Sequence, residues 1–161
     1  MRVIICDDDQ QVVERIRRYT LRMIDYAVDY SFYTRPEELL KECERTEKKA
    51  DLYILDIEMP GIDGLALAKQ IRKNDSRALI VFLTSFTKYM PSVFEVVTFD
   101  FIPKPITEER LRLLFEKTGN FLHLTNQSFS FCYRRVRYNL KFDDIFYLEK
   151  RGRQAIIHTK T

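Results

Sequence analysis

Five short apolar runs, each followed by a polar stretch carrying a helical stripe, fill the first 120 residues, and that alternation restricts the chain to an α/β fold. The runs are Arg2 to Cys6, Val28 to Tyr33, Leu52 to Asp56, Leu79 to Leu83 and Phe99 to Pro103. Between them Val12, Val13, Ile16, Tyr19 and Met23 share one helical face, then Leu39, Leu40 and Cys43, then Leu65, Leu67, Ala68 and Ile71. Asp63 is an N-cap residue for the third helix, and Pro36 and Pro91 suit first turns of the second and fourth. Thr107 opens a fifth helix carrying Leu111, Leu114 and Phe115. Five βα units of this kind predict a doubly wound parallel sheet, with ligands bound beyond the carboxyl ends of its strands. Pro103 lacks a backbone donor, which predicts that the fifth strand lies at an edge.

Acids stand at those carboxyl ends. Asp56 closes an apolar strand inside Leu55-Asp56-Ile57-Glu58-Met59-Pro60-Gly61, and Asp7 and Asp8 follow the first strand. Carboxylates gathered there repel by roughly 4 kcal/mol per charged pair 4 Å apart at an effective dielectric near 20, so they call for a cation. An all-oxygen set with room for water and phosphate suits Mg²⁺. Asp56 can then attack a phosphoryl group, Thr84 can donate its hydroxyl to one phosphoryl oxygen, and Lys104 can set an ammonium beside another. Asp9, by contrast, reads as a helix cap.

Residues 2 to about 120 resemble the receiver domain of two-component response regulators, a flavodoxin-like phosphoacceptor module. The likeness rests on Cys6-Asp7-Asp8, Asp56 with Met59-Pro60-Gly61 and Asp63-Gly64, Thr84-Ser85, and Phe101-Ile102-Pro103-Lys104-Pro105. It implies a (βα)5 sheet of order 2-1-3-4-5 and Asp56 as phosphoacceptor. It further implies Asp7, Asp8, Asp56 and the Glu58 main-chain carbonyl around Mg²⁺, Thr84 and Phe101 as a switch pair, Lys104 as phosphate partner, and a cis Lys104-Pro105 bond. Implied partners are a sensor histidine kinase and, after phosphorylation, a second copy docking through the fourth helix, fifth strand and fifth helix. The chain departs from the common pattern in having Phe101 where tyrosine is frequent. Glu58 and Phe86 occupy positions that in this family tune the lifetime of the phosphoryl group.

After Gly119-Asn120 the pattern changes to short alternating stretches, Phe129 to Tyr133, Val136 to Leu140, Ile145 to Leu148 and Ala155 to His158, which predict antiparallel strands. The expected organisation is a receiver over residues 1–122, a linker over 123–127 and a β segment over 128–161. This end is basic, with eight Lys and Arg against three Asp and Glu in residues 121–161, whereas the rest is nearly balanced. Tyr138-Asn139-Leu140 and Asp143-Asp144-Ile145-Phe146-Tyr147-Leu148-Glu149 are similar to the opening of a LytTR-type DNA-binding domain. That resemblance implies DNA contacts near Lys150, Arg151 and Arg153 in a full-length form, of which the 36 residues from 126 onward would be only a beginning.

Other classes are disfavoured. No apolar run approaches the ~20 residues needed to span a bilayer, and the N-terminus offers no signal-type segment, so a cytoplasmic protein without a membrane partner is expected. Three cysteines, Cys6, Cys43 and Cys132, show no metal or disulfide spacing and read as small buried apolar residues in a reducing compartment. No Gly-rich phosphate loop follows the first strand, so the expected chemistry is confined to the chain's own phosphorylation and dephosphorylation rather than that of an enzyme with turnover. The rival reading is a receiver serving as an interaction or dimerisation module without DNA binding.

Overall fold

The computed structural model describes residues 1–23, 28–46, 49–85, 96–125, 128–141, 144–152 and 154–160. They form two compact units, Met1–Leu114 and Phe115–Thr161. In the first, strands β1 (Arg2–Cys6), β2 (Asp29–Tyr33), β3 (Leu52–Asp56), β4 (Leu79–Thr84) and β5 (Asp100–Pro103) pair in parallel in the order β2-β1-β3-β4-β5. Helices α1 (Gln10–Thr20), α2 (Pro36–Arg45), α3 (Gly64–Asn74) and α4 (Glu108–Thr125) connect or follow them. The expected helix starting at Pro91 and Phe86 both lie outside the described residues.

Burial explains the order. Every residue of β3 and β4 is buried, as central strands covered on both faces must be, while β2 and β5 are only partly so. The core gathers Ile4, Leu55, Ile57, Leu67, Ile71, Ile80 and Phe82, with Phe101 packed at its border. Pro103 does sit on an edge strand, opposite Thr84.

Local chemistry sets the helix boundaries. Asp9 accepts from the Gln11 N–H at 2.8 Å, Asp63 from the Ala66 N–H at 2.7 Å, and Thr107 Oγ1 from the Arg110 N–H at 3.2 Å. Pro36 occupies the first turn of α2 with Glu37 and Glu38 at the positive helix end. A further staple has no sequence signal. Arg72 in α3 donates to the carbonyls of Val96, Ser76, Ala78 and Val97, tying the helix end to the segment that leads into β5. Val97 has a φ of 55°, costly for a β-branched residue, and the Arg72 bonds hold it there.

One expectation is corrected at the C-terminal end of the sheet. The fifth helix predicted by sequence, α4 here, runs on through Gly119 and Asn120 to Thr125, so residues 123–125 are helical rather than linker. Its buried positions Leu111, Leu114, Phe115 and Thr118 recur at helical spacing, a signal that outweighs one glycine with open space around it.

In the second unit, β6 (Ser128–Tyr133) and β7 (Val136–Lys141) form one antiparallel hairpin, and β8 (Ile145–Arg151) and β9 (Gln154–Thr159) another. Cross-strand stacking supports each: Phe131 on Tyr138 at 5.2 Å and Tyr147 on His158 at 4.2 Å. Tyr133, Val136, Tyr138, Phe146, Tyr147 and Leu148 are exposed. Cys132 is exposed as well, against the expectation of burial; Cys6 is buried and Cys43 half-buried.

The β6–β7 turn is strained. Arg134 and Arg135 hold φ of 50° and 69°, the two left-handed positions of a two-residue hairpin loop that favours Asn-Gly. Replacing the pair with Asn-Gly is expected to protect β6–β7 amides from hydrogen exchange about five-fold, equivalent to ~1 kcal/mol. Unchanged exchange rates would contradict the strain.

Candidate functional site

The sheet's carboxyl edge assembles the site from consecutive strand ends. β1 delivers Asp7 and Asp8, β3 ends in Asp56, β4 ends in Thr84, and β5 is followed by Lys104. The register makes the convergence unavoidable: Cys6 pairs with Leu55, Asp56 with Leu83, and Thr84 with Pro103. The Lys104 N–H donates to the Thr84 carbonyl at 2.8 Å, extending this ladder by one step, and the Lys104-Pro105 peptide bond is cis.

One carboxylate oxygen from each of Asp7, Asp8 and Asp56 lies within 4.8 Å of the other two. Asp7 is wholly buried, Asp56 is 5 % exposed, and Asp8 opens to solvent. The Lys104 ammonium stands 2.7 Å from Asp7 Oδ2 and 3.1 Å from Asp56 Oδ2. Backbone donors orient the other oxygens: the Asp9 N–H reaches Asp7 Oδ1 at 3.0 Å, and the Ile57 N–H reaches Asp56 Oδ1 at 2.9 Å. Asp7 Oδ2 has the ammonium close by as an ion pair, but no well-aligned hydrogen bond.

The electrostatics are those of a pocket short of positive charge. Burial pushes the Asp7 carboxyl up to about 6, even though Lys104 pulls the other way. Burial also raises Asp56 above the ordinary carboxylate range, again opposed by Lys104. For Lys104 itself, burial favours the neutral amine, but Asp7 and Asp56 outweigh it and the net shift is upward. The Cys6 thiol beneath is pushed up to about 12 by burial and then by the neighbouring acids, so it is inert. Three carboxylates against one ammonium leave two negative charges, and the donors are all oxygen. That set, with a buried oxygen lacking a hydrogen bond and an exposed third acid, fits a hard divalent cation such as Mg²⁺.

Gly64 is a supporting residue that the motif contained without showing why. Its N–H donates to the Ile57 carbonyl at 2.9 Å, and a Cβ there would fall 1.9 Å from the Asp56 carbonyl oxygen. Thr84 is buried at the end of β4, and Phe101 is half-buried in β5. The Glu58 residue lies in the exposed loop after Asp56. In the second unit Lys150 is exposed and Arg151 is paired to Glu149 at 2.8 Å within its own hairpin; Arg153 lies outside the described residues.

Comparisons with known proteins bear on the family and the fold. The model of the response regulator receiver domain matches residues 3–116. The positive alginate biosynthesis regulatory protein of Pseudomonas aeruginosa is 29% identical over 119 residues, 74% of this chain and 47% of that protein. The sensory transduction protein LytT of Bacillus subtilis is 28% identical over 73% of this chain and 47% of its own length, so the chain spans about half of these relatives. The transcriptional regulatory protein BtsR of Salmonella typhi is 31% identical, with 94% of this chain and 66% of that protein covered. Among solved structures, the response regulatory domain of mrkE from Klebsiella pneumoniae superposes with a TM-score of 0.67 at 26% identity, over 76% of this chain and 98% of that one. The response regulator TrrA from Thermotoga maritima, solved in complex with Mg(2+)-BeF, gives 0.63 at 28% identity, over 73% and 97%. The family match over residues 3–116, most of the chain, establishes that the chain belongs to the response regulator receiver domain family.

Proposed function

We propose that the chain works as a phosphorylation-controlled switch of a two-component system in the cytoplasm, taking its phosphoryl group from a sensor histidine kinase onto Asp56. The observation that carries this is the convergence of three carboxylates and one ammonium at the ends of three strands. Asp7, Asp8 and Asp56, with the Glu58 carbonyl, would hold Mg²⁺, which when bound supplies charge neutralisation for phosphoryl oxygens.

The chain's own groups do the rest. Asp56 Oδ2, 3.1 Å from Lys104, is the nucleophilic oxygen, and its Oδ1 is fixed by the Ile57 N–H, so the carboxylate is held in one orientation. Lys104 shields that oxygen from Asp7 in the resting state and turns to a phosphoryl oxygen once the acyl phosphate forms. Thr84 donates its hydroxyl to a second. The added charge, roughly −1.5 to −2, draws both groups in, with Phe101 following as the second member of the switch pair. No turnover on other substrates is part of this reading.

In full-length form the segment after α4 would belong to a LytTR-type output domain that binds DNA, Lys150, Arg151 and Arg153 contributing salt-dependent phosphate attraction. Relatives named as transcriptional regulators support that output. Exposed Tyr133, Tyr138, Phe146 and Tyr147 favour a second reading, in which these hairpins dock on protein, a phosphorylated homodimer included.

Asp56→Asn is expected to abolish hydroxylamine-labile labelling by a small phosphodonor, while wild type is labelled in a Mg²⁺-dependent manner. Equal labelling of the variant would reject Asp56 as the acceptor.

A further inference from the structure

A second feature adjoins the acidic pocket. A cleft of about 300 Å³ is walled by Val12, Arg15, Ser85, Lys104 and Pro105. It therefore shares a wall with the site, because the same Lys104 lies 3.1 Å from Asp56 Oδ2. Arg15 is half-buried on α1 and makes no hydrogen bond or ion pair among the described residues. Several other basic residues of the first unit are engaged: Arg2 with Glu42, Arg17 with Glu14, Arg22 with Glu108, Arg72 with backbone carbonyls. Asp9 is the one acid among the cleft's described walls, and its Oδ1 is turned to the Gln11 N–H as a helix cap. Lys104 is committed to Asp7 and Asp56, so the cleft's uncommitted charge is the Arg15 guanidinium.

We propose that Arg15 is a positioning residue for the anionic leaving group of an acyl-phosphate donor, the donor lying in this cleft while its phosphorus faces Asp56; this rests on Asp56 being the phosphoacceptor. In the transfer an Asp56 oxygen forms a bond to phosphorus and the bond from phosphorus to the acyl oxygen breaks. The electron pair leaves on that oxygen, giving a free carboxylate. A guanidinium beside the departing carboxylate stabilises the negative charge as it grows, which is where a fixed charge accelerates rather than merely binds. A planar fork also suits a carboxylate bidentately. A donor whose leaving group is neutral gains nothing from it.

That difference supplies the test. Phosphorylation of the whole chain in Mg²⁺ is followed with acetyl phosphate, which expels acetate, and with phosphoramidate, which expels ammonia. Arg15→Ala should slow labelling by acetyl phosphate about five-fold and leave phosphoramidate labelling unchanged within two-fold, while Arg15→Lys restores much of the loss. The acetyl phosphate advantage of wild type should shrink as salt is raised. Acetyl phosphate labelling unchanged in Arg15→Ala would overturn the proposal, and an equal fall with both donors would overturn it too, assigning Arg15 a structural role. Wild type labelled by neither donor would instead reject Asp56 as the acceptor, and the inference with it.

Discussion

Replacing Gly64 with alanine is expected to cost the first unit about 3–5 kcal/mol, a large share of the ~5–15 kcal/mol that holds a domain folded. The reason is geometric. A methyl group at this position would sit 1.9 Å from the Asp56 carbonyl oxygen, 2.8 Å from its carbon and 2.9 Å from the Ile57 Cα. These are backbone atoms of a buried strand end, so neither can swing aside as a flexible side chain would. Relief requires α3 to withdraw, which breaks the bond from the Gly64 N–H to the Ile57 carbonyl and loosens Leu67, Ala68 and Ile71 from the core. Gly61 offers the control. A Cβ there meets only Glu37 Oε1, the far end of an exposed side chain, so the cost at Gly61 comes from its φ of 81° and should be nearer 1 kcal/mol. Urea unfolding followed by circular dichroism ranks the two. A Gly64→Ala protein as stable as Gly61→Ala would show that the approach of α3 to Asp56 is not tight.

Strand identity was legible because buried parallel strands are written as continuous apolar runs, and Leu52 to Asp56 and Leu79 to Leu83 are buried throughout, whereas the strand order followed only from the resemblance to receiver domains. The acid pocket was legible for a related reason. Charged residues at strand ends such as Asp7 and Asp56 violate the local pattern, and only a shared site compensates them. What could not be read was anything resting on one side chain reaching across the fold. Arg72 binding carbonyls from Ser76 to Val97 has no periodic signature, and Lys104 bridging Asp7 and Asp56 depends on a rotamer. The length of α4 was misread because Gly119-Asn120 is a turn dipeptide in isolation, yet here Thr118 is buried and the helix continues past it. The Arg134-Arg135 connection was legible as the gap between two alternating stretches, but its backbone was not, since those residues favour neither left-handed position they occupy.

The acidic pocket also makes stability depend on pH in an unusual direction. Asp7 is wholly buried, and burial lifts its folded pKa from 3.8 to about 6 against the pull of Lys104. Between those values the folded chain holds a proton that the unfolded chain has released. The stabilisation this gives is therefore complete below pH 3.8 and lost as pH rises through 6, a change of roughly 3 kcal/mol at 1.4 kcal/mol per pK unit. Asp56 shifts in the same direction and adds to it. Without divalent cation, the urea midpoint is expected to fall between pH 4.5 and 7, and Asp7→Asn should flatten that decline. Millimolar Mg²⁺ should raise the midpoint of wild type at pH 7 by mass action and do little at pH 4.5, where Asp7 carries a proton and competes with the ion. An Asp7→Asn protein with the full wild-type slope, or equal protection by Mg²⁺ at both pH values, would show that Asp7 is not the group that couples them. The same three carboxylates thus weaken the empty fold at neutral pH and give a cation its purchase, so the ion's binding energy is drawn from repulsion already present among Asp7, Asp8 and Asp56.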